Sequence, residues 1–532
     1  MTAWPGVPAR AGELRQEVRV GHAGAMEYAP RAEPILAPGH FTTPYLREVA
    51  ARASVRSPRR RTRLVATIGP ASDSVEVLAA MAEAGMDVAR VPLAHGSVDD
   101  AIERVRRIRK AAPQVGVLAD LPGPKIRTTG FPDGGVVLAA GDEIDILPGS
   151  LCPESSAARV GVALDEVAAG LQEGDHVAFG DGGVSVRVIE RTGDGVRARV
   201  SSGGRLQGRP GVTVPTSRVQ LRTPTQDDLE RLEALVAEGI DMAAVSFVRS
   251  AADMMAVRAA LGRAPTMLCA KIETPEGIAD LDEILTVSDS VMVARGDLGV
   301  RVPLEDVPHH QKNIIRAGVR FGRPVITATQ MLESMVSSPV PTRAEVTDVA
   351  NAVLDGTSAV MLSAETAVGV DPVNVVATMA RIVTRTERDF DYVRWGAGLG
   401  LQEVSGPPSS ALGITAAITG AAWRAAVEQN AAALIACTRT GRTARVISRF
   451  RPAMPIIAAT PSIETARQLS VSWGVDALLV RESTSTDDIV WHSVQAAVEA
   501  GYAKPGDVVV VLAGSPTEPD PVTDTIRIVR VT

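Results

Sequence analysis

A lysine and a glutamate stand two residues apart in an otherwise apolar run, Cys269-Ala-Lys-Ile-Glu273. In an extended strand, positions i and i+2 face one side, so Lys271 and Glu273 would present an ammonium and a carboxylate together. Met292-Val-Ala-Arg-Gly-Asp-Leu-Gly299 repeats that spacing with Arg295 and Asp297. Glycines at 296 and 299 permit a tight turn, and a helix starting there would aim N–H groups at an anion. Thr327 and Thr329 are expected to stand together at the end of the apolar run 324–330, the seventh along the chain.

Two carboxylates, Glu273 and Asp297, on adjacent strand ends make a hard oxygen site suited to Mg²⁺ or Mn²⁺. Lys271 adds a point positive charge beside them. A metal, a lysine and helix N-termini meet the needs of phosphoryl transfer, which is mostly positioning plus neutralisation of oxygen charge. The same four charged residues could instead form an ion network that only staples strands together. Spacing alone does not separate the two readings; barrel topology favours the functional one, because strand ends on one face of a barrel are where its sites are built.

The elements that would hold these residues follow a regular beat. Short apolar runs at 64–69, 87–93, 115–121, 243–247, 266–273, 290–296, 324–330 and 359–366 alternate with amphipathic stretches such as 75–84 and 99–111. Eight such units predict a closed parallel (β/α)8 barrel, a TIM barrel, over 60–123 and 223–390, with an open doubly wound sheet as the alternative. Between the third and fourth runs the beat stops. Residues 124–222 alternate in short stretches punctuated by Asp-Gly, Gly-Gly and Pro-Gly turns, which predicts an inserted all-β domain on a loop at the catalytic end. Such an insertion could act as a lid that excludes water. From 391 to 532 a separate C-terminal open-sheet α/β domain is expected, with a helix over 411–429 and strands at 433–437, 455–460, 477–480, 507–513 and 525–531.

Composition narrows the class. The chain has 532 residues, too many for one ordinary core, with 45% apolar and only 3% aromatic residues. Abundant Ala, Val and Gly suit the buried strands of parallel sheets. A net charge of −7 offers nucleic acid no basic surface. No apolar run reaches the roughly 18 to 20 residues of a membrane span, so no membrane partner is expected. Cys152, Cys269 and Cys437 are far apart and in no metal spacing, which fits a reducing, cytoplasmic location. Residues 1–59 are rich in proline and end in a basic run; five glutamates argue against a transit peptide, and a flexible or loosely docked extension is expected.

Longer motifs carry a resemblance. Lys271-Ile-Glu273, Met292-Val-Ala-Arg-Gly-Asp-Leu-Gly299, Ala328-Thr-Gln-Met-Leu-Glu-Ser-Met335 and the stretch from Pro341 to Gly356 resemble the core motifs of pyruvate kinases. Thr67-Ile-Gly-Pro-Ala-Ser72, Ala84-Gly-Met-Asp-Val-Ala-Arg90 and Met361-Leu-Ser-Ala-Glu-Thr366 extend it, in order, over about residues 60 to 532. The resemblance implies Mg²⁺-dependent phosphoryl transfer from phosphoenolpyruvate to ADP, giving pyruvate and ATP. It implies that Glu273 and Asp297 hold the metal and Lys271 stabilises the phosphoryl group in flight. Arg90 would grip the phosphate, and Thr329 would sit where the enolate is protonated. The Ala294-Arg295-Gly296 turn, with Asp297 and Thr329, would bind substrate. His95, Arg127 and Arg209 correspond to nucleotide positions, and Asp181 falls on the lid's hinge-side motif. A homotetramer is also implied.

The pattern breaks in places. The family's Arg-Leu-Asn-Phe-Ser-His-Gly reads Arg90-Val-Pro-Leu-Ala-His-Gly96, so Pro92 and Ala94 replace two oxygen ligands of potassium. Leu121 replaces a third, and of that set only Asp120 survives. Lys125 stands where the family has glutamate, and a fixed ammonium near the phosphate can act as a potassium surrogate. Potassium is therefore expected not to be required. The lid's Lys-Lys-Gly reads Arg209-Pro-Gly211, with one charge lost. These losses keep two alternatives open, a catalytically weak paralogue that binds phosphometabolites as a regulator and another enolpyruvate-handling barrel enzyme.

In the C-terminal domain, Thr438-Arg439-Thr440-Gly441-Arg442-Thr443 joins a strand to a helix. Hydroxyls, arginines and helix N–H groups there could cradle a phosphate, where the resemblance places an allosteric effector site. The acids in 515–520 favour a monophosphate effector, a sugar or nucleotide monophosphate, over a bisphosphate.

Overall fold

The computed structural model describes residues 60–180, 182–215, 222–399, 411–514 and 522–532. The extension 1–59, Asp181 and the loop 515–520 lie outside the described residues.

Eight parallel strands close into the barrel: β1 (Arg63–Thr67), β2 (Val88–Pro92), β3 (Gly116–Asp120), β12 (Met242–Val245), β13 (Met267–Ile272), β14 (Ser290–Ala294), β15 (Val325–Ala328) and β16 (Ala359–Leu362). Between β3 and β12 the insertion contributes β4 (Val136–Leu138), β5 (Glu143–Pro148), β6 (Arg159–Val162), β7 (His176–Phe179), β8 (Val184–Arg191), β9 (Val196–Ser202), β10 (Gly204–Leu206) and β11 (Val212–Thr213). Side-chain capping starts the barrel helices sharply. Ser97 with Asp100, Thr225 with Asp228 and Thr342 with Glu345 form reciprocal boxes at three N-termini.

Strand alternation divides the barrel's apolar residues between two cores. Val65, Val88, Leu118, Met242, Ala244, Cys269, Met292, Ile326 and Met361 fall in one buried cluster, the barrel interior. Leu64, Ala89, Ala119, Ala243, Leu268, Val291, Val325 and Val360 pack in a second cluster with the surrounding helices. That parity matters for the site. Two residues beyond Val65, Val88, Leu118, Ala244 and Cys269 come Thr67, Arg90, Asp120, Ser246 and Lys271, so the interior series turns polar at its C-terminal end.

The insertion forms a six-stranded sheet, β11-β7-β8-β9-β5-β6, and a two-stranded ribbon, β10-β4, around its own core. Its one helix among the described residues is the short Asp165–Gly170. The base is pinned where Gly123 N–H donates to Asp228 at 3.0 Å, tying the lid's entry to the helix that follows its exit. Its far turn reaches the barrel as well. A Cβ added to Gly182 would lie 3.3 Å from Val300.

The C-terminal sheet has the order β19-β18-β17-β20-β21, from β17 (Ala433–Cys437), β18 (Ile456–Thr460), β19 (Val475–Leu479), β20 (Val508–Gly514) and β21 (Thr523–Arg530). The last pair is antiparallel and the others are parallel. Arginines exchanged across the seam join this sheet to the barrel. Arg61 donates to the carbonyl of Pro452 at 3.2 Å, and Arg451 donates to that of Thr357 at 3.1 Å. No helix among the described residues is long and apolar enough to cross a membrane.

Candidate active site

A chain of charge runs across the C-terminal mouth of the barrel. Arg90 donates to Asp120 at 2.6 Å and to the Thr67 hydroxyl at 2.9 Å. The other Asp120 oxygen lies 3.1 Å from the Lys271 ammonium, which lies 3.0 Å from Glu273 and donates to Ser246 at 2.6 Å. Glu273 also accepts the Phe247 N–H at 2.9 Å. Asp120, Ser246, Lys271 and Glu273 are all buried, so water screens these charges little.

The electrostatics follow from that burial. Loss of water disfavours an ionised Asp120, but Lys271 and Arg90 outweigh it and hold the carboxyl below its usual range. Lys271 resists deprotonation despite its burial, because Asp120 and Glu273 flank it. Glu273 moves the other way. Burial and the nearby Asp297 raise its pKa against the pull of Lys271. Three carboxyl groups (Asp120, Glu273, Asp297) face two cations (Arg90, Lys271), a formal excess of one acid over base. The buried Oε1 of Glu273 contacts Lys271 but receives no aligned hydrogen bond. A hard divalent cation fits this donor set. Among the described residues, no three His, Cys, Asp or Glu side chains gather to hold a metal by themselves.

Residues 295–297 depart from expectation. The strand ends at Ala294, and Arg295–Gly299 is a helical turn. Residues i and i+2 of a helix point about 200° apart, so Arg295 and Asp297 do not share a face. Arg295 turns outward to Asp348 at 2.7 Å and to the carbonyls of Ala328 and Thr329 at 3.1 and 2.6 Å. Asp297 acts electrostatically on Lys271 and Glu273.

Thr327 and Thr329 also part company. Ile326 and Ala328 occupy the barrel interior, so Thr327 points the opposite way and donates to Thr357 at 2.9 Å, fully buried. Thr329 escapes that parity because its φ of +69° breaks the strand. Its hydroxyl accepts the Gly296 N–H at 2.8 Å, which brings Thr329 to the 294–297 turn.

A second group lies where lid meets barrel. Burial lowers the pKa of His95, and the charges of Arg127, Lys125 and Arg90 add to that effect, so three cationic side chains lie near the His95 ring and favour its neutral form. Arg127 donates to the Arg209 carbonyl at 3.2 Å and pairs with Gly211 in a short antiparallel bridge. Lys125 is exposed, its stem 3.2 Å from where a Gly211 Cβ would stand. Leu121 is buried and apolar.

The 438–443 loop belongs to the separate C-terminal sheet. Gly441, at φ +75°, caps the helix Arg442–Ser448. Arg439 pairs with Glu482 at 2.7 Å, and Thr440 and Arg442 are exposed. Thr443 does not join a cradle as expected. It is buried, its hydroxyl 2.6 Å from that of Thr523 on β21.

Sequence reasoning passed over Thr67, Ser246 and the Phe247 N–H. Ser246 was marked only by a hydroxyl at the end of an apolar strand, a signal too common to single out.

Comparison with known proteins agrees with this architecture. The family model "Pyruvate kinase, barrel domain" matches residues 59–376, and "Pyruvate kinase, alpha/beta domain" matches 416–529. A pyruvate kinase of Sporosarcina psychrophila is 41% identical over 469 residues, covering 86% of this chain and 78% of the relative. One from Staphylococcus aureus (strain MRSA252) is 40% identical over 477 residues, covering 88% and 80%. A closed barrel with a polar mouth, an inserted β domain and a C-terminal α/β sheet, matched by both family models and by relatives about 40% identical over most of the chain, place the chain in the pyruvate kinase family.

Proposed function

We propose that this protein is an active pyruvate kinase, moving the phosphoryl group of phosphoenolpyruvate to ADP in glycolysis. The observation that carries this reading is the buried Arg90–Asp120–Lys271–Glu273 chain beside Asp297 at the barrel mouth. Glu273 and Asp297 would hold Mg²⁺ or Mn²⁺, with substrate oxygens and water completing the shell, as a small hard cation prefers. The ion would neutralise charge on the carboxylate and phosphoryl oxygens of the substrate.

The chain's own residues do the rest. Lys271, locked as an ammonium by two carboxylates and Ser246, meets the phosphoryl group as its oxygens gain charge. Arg90, oriented by Asp120 and Thr67, binds the same group from the other side. Main-chain N–H groups of the Ala294-Arg295-Gly296 turn receive the substrate carboxylate, and Thr329 sits where the enolate carbon is protonated. The Arg295 side chain sets the turn's position through Asp348 and two carbonyls.

ADP would lie along His95, Arg127 and Arg209, under a lid spanning 124–222 that closes over the mouth. Lys125, beside His95 and the lid's Gly211, would supply the charge that potassium supplies in relatives. The C-terminal loop 438–443 would bind a phosphorylated effector through Thr438, Arg439, Thr440 and Arg442. A cytoplasmic homotetramer completes the reading.

A lactate-dehydrogenase-coupled assay with phosphoenolpyruvate, ADP and Mg²⁺ tests it. ADP-dependent pyruvate formation that disappears in Lys271→Met is expected. A folded wild-type protein with no turnover above the blank would end the reading.

A further inference from the structure

We propose that Arg301 is a positioning residue that braces Glu273 and Asp297 into one site, a proposal resting on the reading of that pair as the metal-holding carboxylates. Arg301 leaves the helical turn that carries Asp297, its own N–H bonded to the Leu298 carbonyl at 2.9 Å. Its guanidinium reaches back and donates to the Asp297 carbonyl at 3.4 Å. The same guanidinium covers the Phe247 ring, with Cζ 4.8 Å from the ring centre. Phe247 is the residue whose N–H holds Glu273, at 2.9 Å.

One cation therefore touches the main chain of one carboxylate and the side chain of the residue that orients the other. The need for a brace is visible in the backbone. Phe247 has φ +56°, a conformation a bulky L-residue rarely adopts unless its surroundings impose it. A planar guanidinium on the ring face favours the observed ring position, hence the direction of the Phe247 N–H. Among the described residues, the buried Nε of Arg301 has no hydrogen-bond partner, so the guanidinium is held by the Phe247 ring and the Asp297 carbonyl. The contact also has a route to the lid, since Val300, the preceding residue, is the one approached by Gly182.

The test is Mn²⁺ titration of the substrate-free full chain, followed by electron paramagnetic resonance, at a temperature where circular dichroism shows every variant folded. Groups that orient a metal's ligands typically change its affinity by about 10–100-fold, so Arg301→Met should raise the Mn²⁺ Kd about tenfold. Arg301→Lys keeps charge and stem but not the planar fork, and should recover part of that loss. Phe247→Leu, which retains the N–H to Glu273 but removes the ring, should weaken Mn²⁺ binding in the same direction. Glu273→Gln is the reference for the site itself. If it loses Mn²⁺ while Arg301→Met and Phe247→Leu both stay within about twofold of wild type, below the range for ligand-orienting groups, the brace is refuted and the metal site stands. If Glu273→Gln binds Mn²⁺ as wild type does, the metal reading fails and the brace fails with it. Should Arg301→Met not fold, Arg301→Lys and Phe247→Leu decide the matter by the same threshold.

Discussion

The ammonium of Lys271 lies 3.0 Å from the carboxylate of Glu273, and both are buried in the barrel mouth with Asp120 on the far side of the lysine. Lys271 thus has two duties, neutralising buried carboxylates and meeting a charged substrate. Lys271→Met should lower kcat by on the order of 10³ while phosphoenolpyruvate affinity changes far less, because a charge aimed at the transferring group acts in the transition state. It should also cost about 3–5 kcal/mol of stability, since two buried carboxylates lose their partner. Steady-state kinetics and thermal melts read the two effects separately. Collapse of substrate affinity with kcat retained at saturation would assign Lys271 to ground-state binding instead.

Glu273→Gln and Asp297→Asn should each abolish tight Mn²⁺ binding and turnover while leaving the barrel folded. Each removes one of two hard ligands, and a two-carboxylate site has none to spare. Glu273 already bears the cost of burial next to Asp297, so its amide should not destabilise the fold as an unpaired charge would. Calorimetry finding unchanged Mn²⁺ affinity in both variants would remove the assignment.

Potassium should matter little. Pro92, Ala94 and Leu121 offer no side-chain oxygen, while Lys125 stands beside His95, Arg127 and the lid's Gly211. Activity should stay nearly flat when potassium replaces sodium at constant ionic strength. Lys125→Glu should cripple the enzyme without rescue by potassium. Combining that change with Pro92→Asn, Ala94→Ser and Leu121→Thr should create potassium dependence. Strong activation of the wild type by potassium would contradict this account of Lys125.

Arg442→Glu should abolish activation by sugar or nucleotide monophosphates and leave basal turnover untouched. Arg442 is exposed at the first turn of its helix, so a carboxylate there repels a phosphate without disturbing the core. Thr443 is the wrong residue for this test, being buried against Thr523. A wild type indifferent to every phosphorylated metabolite would reduce the loop to a helix cap.

Acid should weaken the seam beneath the barrel. Burial works against an ionised Asp289, but Arg258 and Arg445, with the Leu268 N–H, outweigh it and hold its carboxyl below the ordinary value. A depressed carboxyl pKa stabilises the fold above the unfolded-state value, about 3.9, and that contribution fades as pH falls through the folded-state value. Asp289→Asn should cost about 1–3 kcal/mol at pH 7 by leaving both arginines under-paired. The gap between the melting temperatures of variant and wild type should narrow below about pH 4. A gap that widens in acid would show that Asp289 is not held ionised.

Much of the architecture was legible in the sequence because it is local. Apolar runs of strand length alternating with capped helices set the eight barrel units, and the helix 75–84 has the ends that its Ser74 cap and Gly85 stop dictate. Lys271 and Glu273 fell on one side because β13 remains a strand up to Ile272, so period two holds. Where the backbone changes conformation, that inference fails. Arg295 and Asp297 separate because the strand becomes a helix at 295, and Thr327 leaves Thr329 because a positive φ breaks the alternation. Which residues join across strands was decided only by tertiary structure. Arg90 with Asp120, Asp120 with Lys271, and Lys271 with Ser246 are 30, 151 and 25 positions apart, and barrel closure alone brings them within bonding distance. Periodicity reports which way a side chain points along its own element. The partner it meets there depends on strand order and register, which no local pattern encodes.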